Sequence, residues 1–278
     1  MTASLSYSRS GTGPPLVLLH GLGASRQSWE PVIPALAARF DVIAVDLPGF
    51  GDSAELTARD EPAPQVLARA VAGLLDELGV TAPHLAGNSL GGWVALEFAA
   101  VRPAASLTLL SPAGLWRRTA PRYCQISLRA SRWLASHWAR PIHGLVRYRL
   151  GRAMVLGQTH GHPMRLSPGY ARSIVRAMGT CPGFGATLTA TARRRYLATT
   201  PFGAPVTLAF GSRDLILLPR QSRLLDQLPA RTQQQTLAGC GHVPMADDPG
   251  AVAAVILDQL SRHSPGDGLT PTGPGRHA

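Results

Sequence analysis

The sequence contains no lysine, so all 27 of its basic residues are arginine. Only three cysteines occur, Cys124, Cys181 and Cys240. An odd, widely spaced set of this kind suits a reducing compartment better than a disulfide framework. No run of 18 or more apolar residues is present, which excludes a helical membrane span. The opening stretch, MTASLSYSRSGTGPP, lacks the apolar core of a secretory signal, so a cytoplasmic location is expected. Acidic residues are missing altogether from residues 112–200, which carry 15 of the arginines. The remaining 12 arginines are outnumbered by 16 acidic residues, so the net charge of +11 comes wholly from the central segment. An all-arginine basic set also arises from genomic base composition alone. No zinc-finger spacing, RNP-like aromatic run or basic heptad array accompanies it, which argues against a nucleic-acid partner.

What is present is a core-forming composition, 45% hydrophobic and 15% charged, in a chain of 278 residues. That length suffices for one large α/β domain or two small ones. Apolar runs at Leu16–Leu19, Asp41–Val45, His84–Ala86, Ser106–Leu110, Pro205–Phe210 and Gln235–Ala238 predict strands. Helical spacing is found over Val66–Leu78, Leu90–Ala100 and Ala251–Leu260. Alternating strands and helices predict a mostly parallel sheet covered on both faces. The alternation stops at residues 113–200, which read as helices over Tyr123–Trp138, Gly144–Gly157, Gly169–Met178 and Gly185–Leu197. There Arg122, Arg129 and Arg132 form one helical stripe beside an apolar face of Ile126, Ala130, Trp133 and Leu134. The Pro/Gly-rich tail, residues 264–278, is expected to be disordered.

The chemistry concentrates at strand ends. Gly87-Asn88-Ser89-Leu90-Gly91-Gly92 fits G-x-S-x-G between a predicted strand and a predicted helix. Alone, this also fits a glycine-rich turn carrying an ordinary serine. An alcohol is a weak nucleophile and needs a base. His242, in Gly239-Cys240-Gly241-His242, follows the last predicted strand. Asp214, in Gly211-Ser212-Arg213-Asp214, follows the strand before it and supplies the carboxylate that fixes such a base. Backbone N–H groups of Leu90, at the helix start, and Leu22, in His20-Gly21-Leu22-Gly23, are the candidate oxyanion donors.

LVLLHGLG (16–23), DLPGFGDS (46–53), GNSLGG (87–92), GSRD (211–214) and GCGHVP (239–244) together resemble the α/β-hydrolase superfamily, in family order and spacing. The resemblance implies a core from 1–112 and 201–263, a helical arginine-rich cap from 113–200, and hydrolysis of an ester or thioester without cofactor or metal. It implies Ser89, Asp214 and His242 as catalytic residues, with Asn88, Trp116, Trp133 and Val243 about the pocket. The substrate class is left open. The elbow is similar to that of meta-cleavage-product C–C hydrolases, which carry Trp after the histidine where this chain has Val243. A hydrolase-fold cyclase or lyase is a further alternative. The acid-free cap suggests an anionic small-molecule substrate or an acidic carrier protein as partner.

Other polar residues have plainer expectations. His20 is expected to pack its loop, Asp46 and Asp52 to fix the loop after the second strand, and Asp247-Asp248 to cap the last helix. His160-Gly161-His162 lacks a third ligand nearby and is expected to be a solvated cap loop. Cys240 is expected to pack.

Overall fold

The computed structural model describes residues 4–57 and 60–261, without the side chains of 259–261. The tail expected to be disordered lies outside the described residues. Seven strands form one sheet: β1 (Tyr7–Ser10), β2 (Pro15–Leu19), β3 (Asp41–Val45), β4 (His84–Asn88), β5 (Ser106–Leu110), β6 (Val206–Gly211) and β7 (Gln233–Leu237). Their order is β1-β3-β2-β4-β5-β6-β7, parallel except for the antiparallel edge pair β1–β3. The fold is that of an α/β hydrolase. The helices are α1 (Ile33–Ala37), α2 (Pro64–Glu77), α3 (Leu90–Ala99), α4 (Arg122–His137), α5 (Ala139–Leu145), α6 (Arg149–Leu156), α7 (Pro168–Thr180), α8 (Phe184–Ala192), α9 (Pro219–Ser222) and α10 (Pro249–Ser261).

Strands β4, β5 and β6 are covered on both faces and buried at every position; polar side chains among them find internal partners, as His84 Nδ1 does in the Ser106 hydroxyl at 2.8 Å. One apolar layer joins β2, β3 and β5 to α2 and α3 through Val17, Ile43, Leu109, Leu75 and Phe98. The other joins them to α1 and α10 through Leu18, Ala44, Leu36 and Ile256. Helices α4 to α8 stand between β5 and β6, and a third apolar cluster around Val146, Leu156 and Val175 holds part of them together. The stretch Gly144–Gly157, expected as one helix, is two segments. Buried Arg152 donates to the carbonyls of Val146 and Arg147, both at 3.0 Å, and so satisfies the chain end left by α5. Among the described residues no helix is long and apolar enough to cross a membrane.

Candidate active site

The turn from β4 into α3 places Ser89 at φ 53 and ψ −114, a left-handed conformation that costs energy for any residue with a Cβ. Its surroundings enforce that turn. A Cβ on Gly87 would stand 2.3 Å from the Gly91 carbonyl oxygen, and one on Gly91 would stand 2.1 Å from that of Leu19. Only glycine lets helix and strands approach this closely. The Ser89 N–H donates to the Leu110 carbonyl at 3.0 Å, tying the turn to the next strand. The Ser89 hydroxyl has no hydrogen-bond partner among the described residues; it opens on a cavity that His242 also lines.

His242 and Asp214 come from the loops after β7 and β6. Gly211 allows these loops to stack, since a Cβ there would meet the Gly241 carbonyl oxygen at 2.1 Å. The His242 Nδ1 lies 2.9 Å from Asp214 Oδ2, with both side chains buried. The other carboxylate oxygen, Oδ1, accepts from the N–H groups of Ile216 and Leu217, each at 2.9 Å. Burial pushes the Asp214 carboxyl up, but His242 and these donors outweigh it and hold the group below its ordinary value. An ionised carboxylate only accepts, so the proton of a neutral His242 sits on Nδ1 and Nε2 keeps its lone pair. Asn88 braces the arrangement, donating to the carbonyls of His242 at 2.9 Å and Leu110 at 3.1 Å.

The cavity at Ser89 measures about 120 Å³. Leu22 and Leu90 line it, and neither backbone N–H is taken by a partner among the described residues. Asn88, Trp116 and Val243 line it too. Trp133 does not: it is 52% exposed and stacks on His137. At about 100° per residue, Trp133 lies roughly 160° around α4 from Cys124, Leu128 and Ala135, which face inward. None of the central segment's arginines lines this cavity.

His20 Nδ1 meets the Gly21 carbonyl at 2.8 Å, and Nε2 accepts from the Leu47 N–H at 3.0 Å, so its ring is fully engaged in the loop. Asp46 accepts from Arg26 and from the Asp52 N–H, while Arg26 also reaches Asp52. Asp248 caps α10 through the Ala251 N–H at 2.9 Å. Asp247 departs from the capping expectation. It accepts from the N–H groups of Gly161, His162 and Gly241 at 2.7–2.8 Å, clamping the helical segment onto the His242 loop. Cys240 is buried, and burial raises its thiol to about 11; Cys124, on the cavity wall, is raised to about 12. Neither is a nucleophile at neutral pH.

The clamp corrects the expectation for His160, which is buried rather than solvated and lines the cavity. The Thr159 hydroxyl donates to the Leu156 carbonyl, so it accepts from His160 Nδ1, at 2.9 Å. Nε2 is left buried without a partner among the described residues. Burial drives this histidine down to about 4, with Asp247 opposing and His242 assisting. Between the ordinary value of 6.5 and about 4, the unfolded chain therefore holds a proton that the folded chain lacks. Stability falls as pH drops through that window, by roughly 3 kcal/mol over its width. In His160→Gln, urea unfolding at a series of pH values should show this slope reduced by about 1.4 kcal/mol per pH unit. An identical slope in both proteins contradicts a neutral, buried His160.

A model of the alpha/beta hydrolase family matches residues 16–255. The pimeloyl-[acyl-carrier protein] methyl ester esterase of Aeromonas hydrophila subsp. hydrophila is 47% identical over 100 residues, covering 36% of this chain and 37% of that protein. The 2-hydroxy-6-oxo-6-phenylhexa-2,4-dienoate hydrolase of Comamonas testosteroni is 38% identical over 117 residues, 40% and 41% of the two chains. The chain thus matches less than half the length of these two relatives. A thermophilic esterase from Thermogutta terrifontis superposes with a TM-score of 0.74 over 94% of both chains at 23% identity, a likeness of fold.

Proposed function

The chain belongs to the alpha/beta hydrolase family and is a hydrolase; on that premise we propose that it cleaves a compact, uncharged carboxylic ester through a Ser89 acyl-enzyme. The observation that carries this is the buried His242–Asp214 pair facing the cavity onto which the strained Ser89 turn opens. Ser89 Oγ attacks the ester carbonyl while His242 Nε2 takes its proton. The resulting oxyanion accepts from the Leu22 and Leu90 N–H groups, and the positive end of α3 assists. Collapse breaks the bond to the alcohol, which leaves with the proton from Nε2. Water, deprotonated by His242, then attacks the acyl carbonyl and releases the acid and free Ser89.

Two features narrow the substrate. A cavity of about 120 Å³ lies below the ~300–1000 Å³ that holds drug-sized ligands, so a short acyl group fits best. A dienoate, the class in the name of the Comamonas protein, carries a carboxylate, and among the described residues no arginine lines the cavity to receive one. The same fact weighs against the anionic substrate suggested by the charge count. Residues 113–200 act as the cap over the described parts of the core, within 1–112 and 201–263. Mixing the enzyme with excess p-nitrophenyl acetate should release a burst of nitrophenol equal to one equivalent of enzyme, followed by slower turnover. Neither burst nor turnover with short-chain esters would refute the proposal and favour a non-hydrolytic cyclase or lyase.

A further inference from the structure

Helix α4 turns one apolar face toward the cavity and a second away from the protein. Its inner side carries Cys124 and Leu128, both on the cavity wall. Its outer side carries Tyr123, Ile126, Trp133 and Leu134 at helical spacing, 46–66% exposed. At the first turn of α4 this outer stripe meets the end of α6. The Tyr123 hydroxyl accepts from Gln158 Nε2 at 2.8 Å, and Gln158 follows Leu150 and Met154 in steps of four residues along and just beyond α6. Leu150 and Met154 are 73% and 78% exposed. Of the 14 exposed large hydrophobic residues among those described, ten lie within 123–164. That concentration exceeds the scattered exposure ordinary surfaces carry and marks a docking face.

Charge gives the face its partner. Arg122 and Arg129 on α4, and Arg140, Arg147 and Arg149 in the stretch from α5 to the start of α6, are exposed and form no ion pair among the described residues. No acidic residue occurs anywhere from 112 to 200. A second copy of this chain would bring arginine against arginine. An acidic protein would pair the arginines, yet it would have to match Ile126, Leu150 and Met154 with apolar surface as well. An anionic bilayer supplies both at once: phosphate headgroups for guanidinium groups, and acyl chains a few ångström below for the aliphatic and indole side chains. We propose that the outer face of α4 and α6 docks on an anionic phospholipid surface.

The tryptophans make the test direct. Trp29, Trp93 and Trp116 are buried, while Trp133 and Trp138 are 52% and 54% exposed. The full chain is mixed with vesicles of phosphatidylcholine alone, or of phosphatidylcholine with an about equal part of phosphatidylglycerol. Cosedimentation with the anionic vesicles, a blue shift of tryptophan emission, and release by high salt are expected; the zwitterionic vesicles should leave the chain in solution. Ile126→Ser with Leu150→Ser and Met154→Ser should lower partitioning at least about tenfold while hydrolysis of a soluble short-chain ester is unchanged. Arg129→Gln with Arg149→Gln, which leaves the apolar face intact, should lower it by about 25-fold, fivefold per arginine. Absence of binding, or equal binding to both vesicle types without salt dependence, overturns the proposal. So does self-association, or capture of an acidic carrier protein, that the same substitutions abolish while vesicle binding is missing.

Discussion

Ser89→Ala should lower ester turnover by at least ~10⁴-fold and abolish labelling by a fluorophosphonate, with the fold intact. The second half of that expectation comes from local structure. The hydroxyl has no hydrogen-bond partner to lose among the described residues, and alanine keeps the Cβ that makes φ 53 costly, so strain in the turn is the same before and after. The backbone bond to Leu110 and the close packing of Gly87 and Gly91 remain. The thermal midpoint should therefore hardly move, which separates a chemical loss from an unfolded protein. What survives is the contribution of Leu22, Leu90 and substrate binding, the part of catalysis that needs no nucleophile. Continued labelling or turnover in the variant would remove Ser89 from its role, and with it the acyl-enzyme.

Much of this arrangement was legible because each piece leaves a local trace. Strands β3 and β5 coincide with β-rich, mostly apolar runs, since a strand covered on both faces leaves little room for polar residues beyond Asp41, Ser106 and Thr108. Ser89 and Asp214 each follow a buried strand and His242 follows the polar edge strand β7, and glycine marks the turns where backbones nearly touch. What escaped left no such trace. Strand β1, Tyr-Ser-Arg-Ser, is exposed at every position and exists through backbone pairing with β3. Periodicity found two faces on α4 but could not say which one faced the cavity. An apolar face alone therefore does not place Trp133 in the pocket; α4 turns Cys124 and Leu128 to the cavity instead. His160 looked solvated because the contacts that draw its loop in, from the Gly161 and His162 N–H groups to Asp247, span 86 and 85 residues. The Asp247-Asp248 pair held the one hint: a single helix start needs only one capping carboxylate. The arginines show the opposite limit. Their count suggested an anionic substrate, while their placement leaves the cavity free of them.

Asp214→Asn should lower kcat by about 10⁴-fold with little change in KM, and the structure says why an amide cannot substitute. In Asp214 the two oxygens have different work: Oδ1 accepts from Ile216 and Leu217, and Oδ2 accepts from His242 Nδ1–H. Asparagine has one oxygen. If that oxygen stays with the two backbone donors, the NH₂ group faces His242, and a donor there can be met only by an unprotonated Nδ1. The imidazole proton then moves to Nε2, the atom that must accept from Ser89, and the base is lost. If the amide flips, two buried N–H groups face an NH₂, at a cost of about 1–3 kcal/mol for each group left unsatisfied. The first orientation therefore wins, keeping the loop and losing the chemistry. Asp214→Ala lacks the opposing donor, so His242 can still hold its proton on Nδ1 part of the time. The alanine variant should then be the more active of the two, although it is the less stable, having lost both backbone acceptor contacts. That inverted order in kcat against thermal midpoint is what a purely structural role for Asp214 would not produce; activity tracking stability across the two variants would rule out the orienting role.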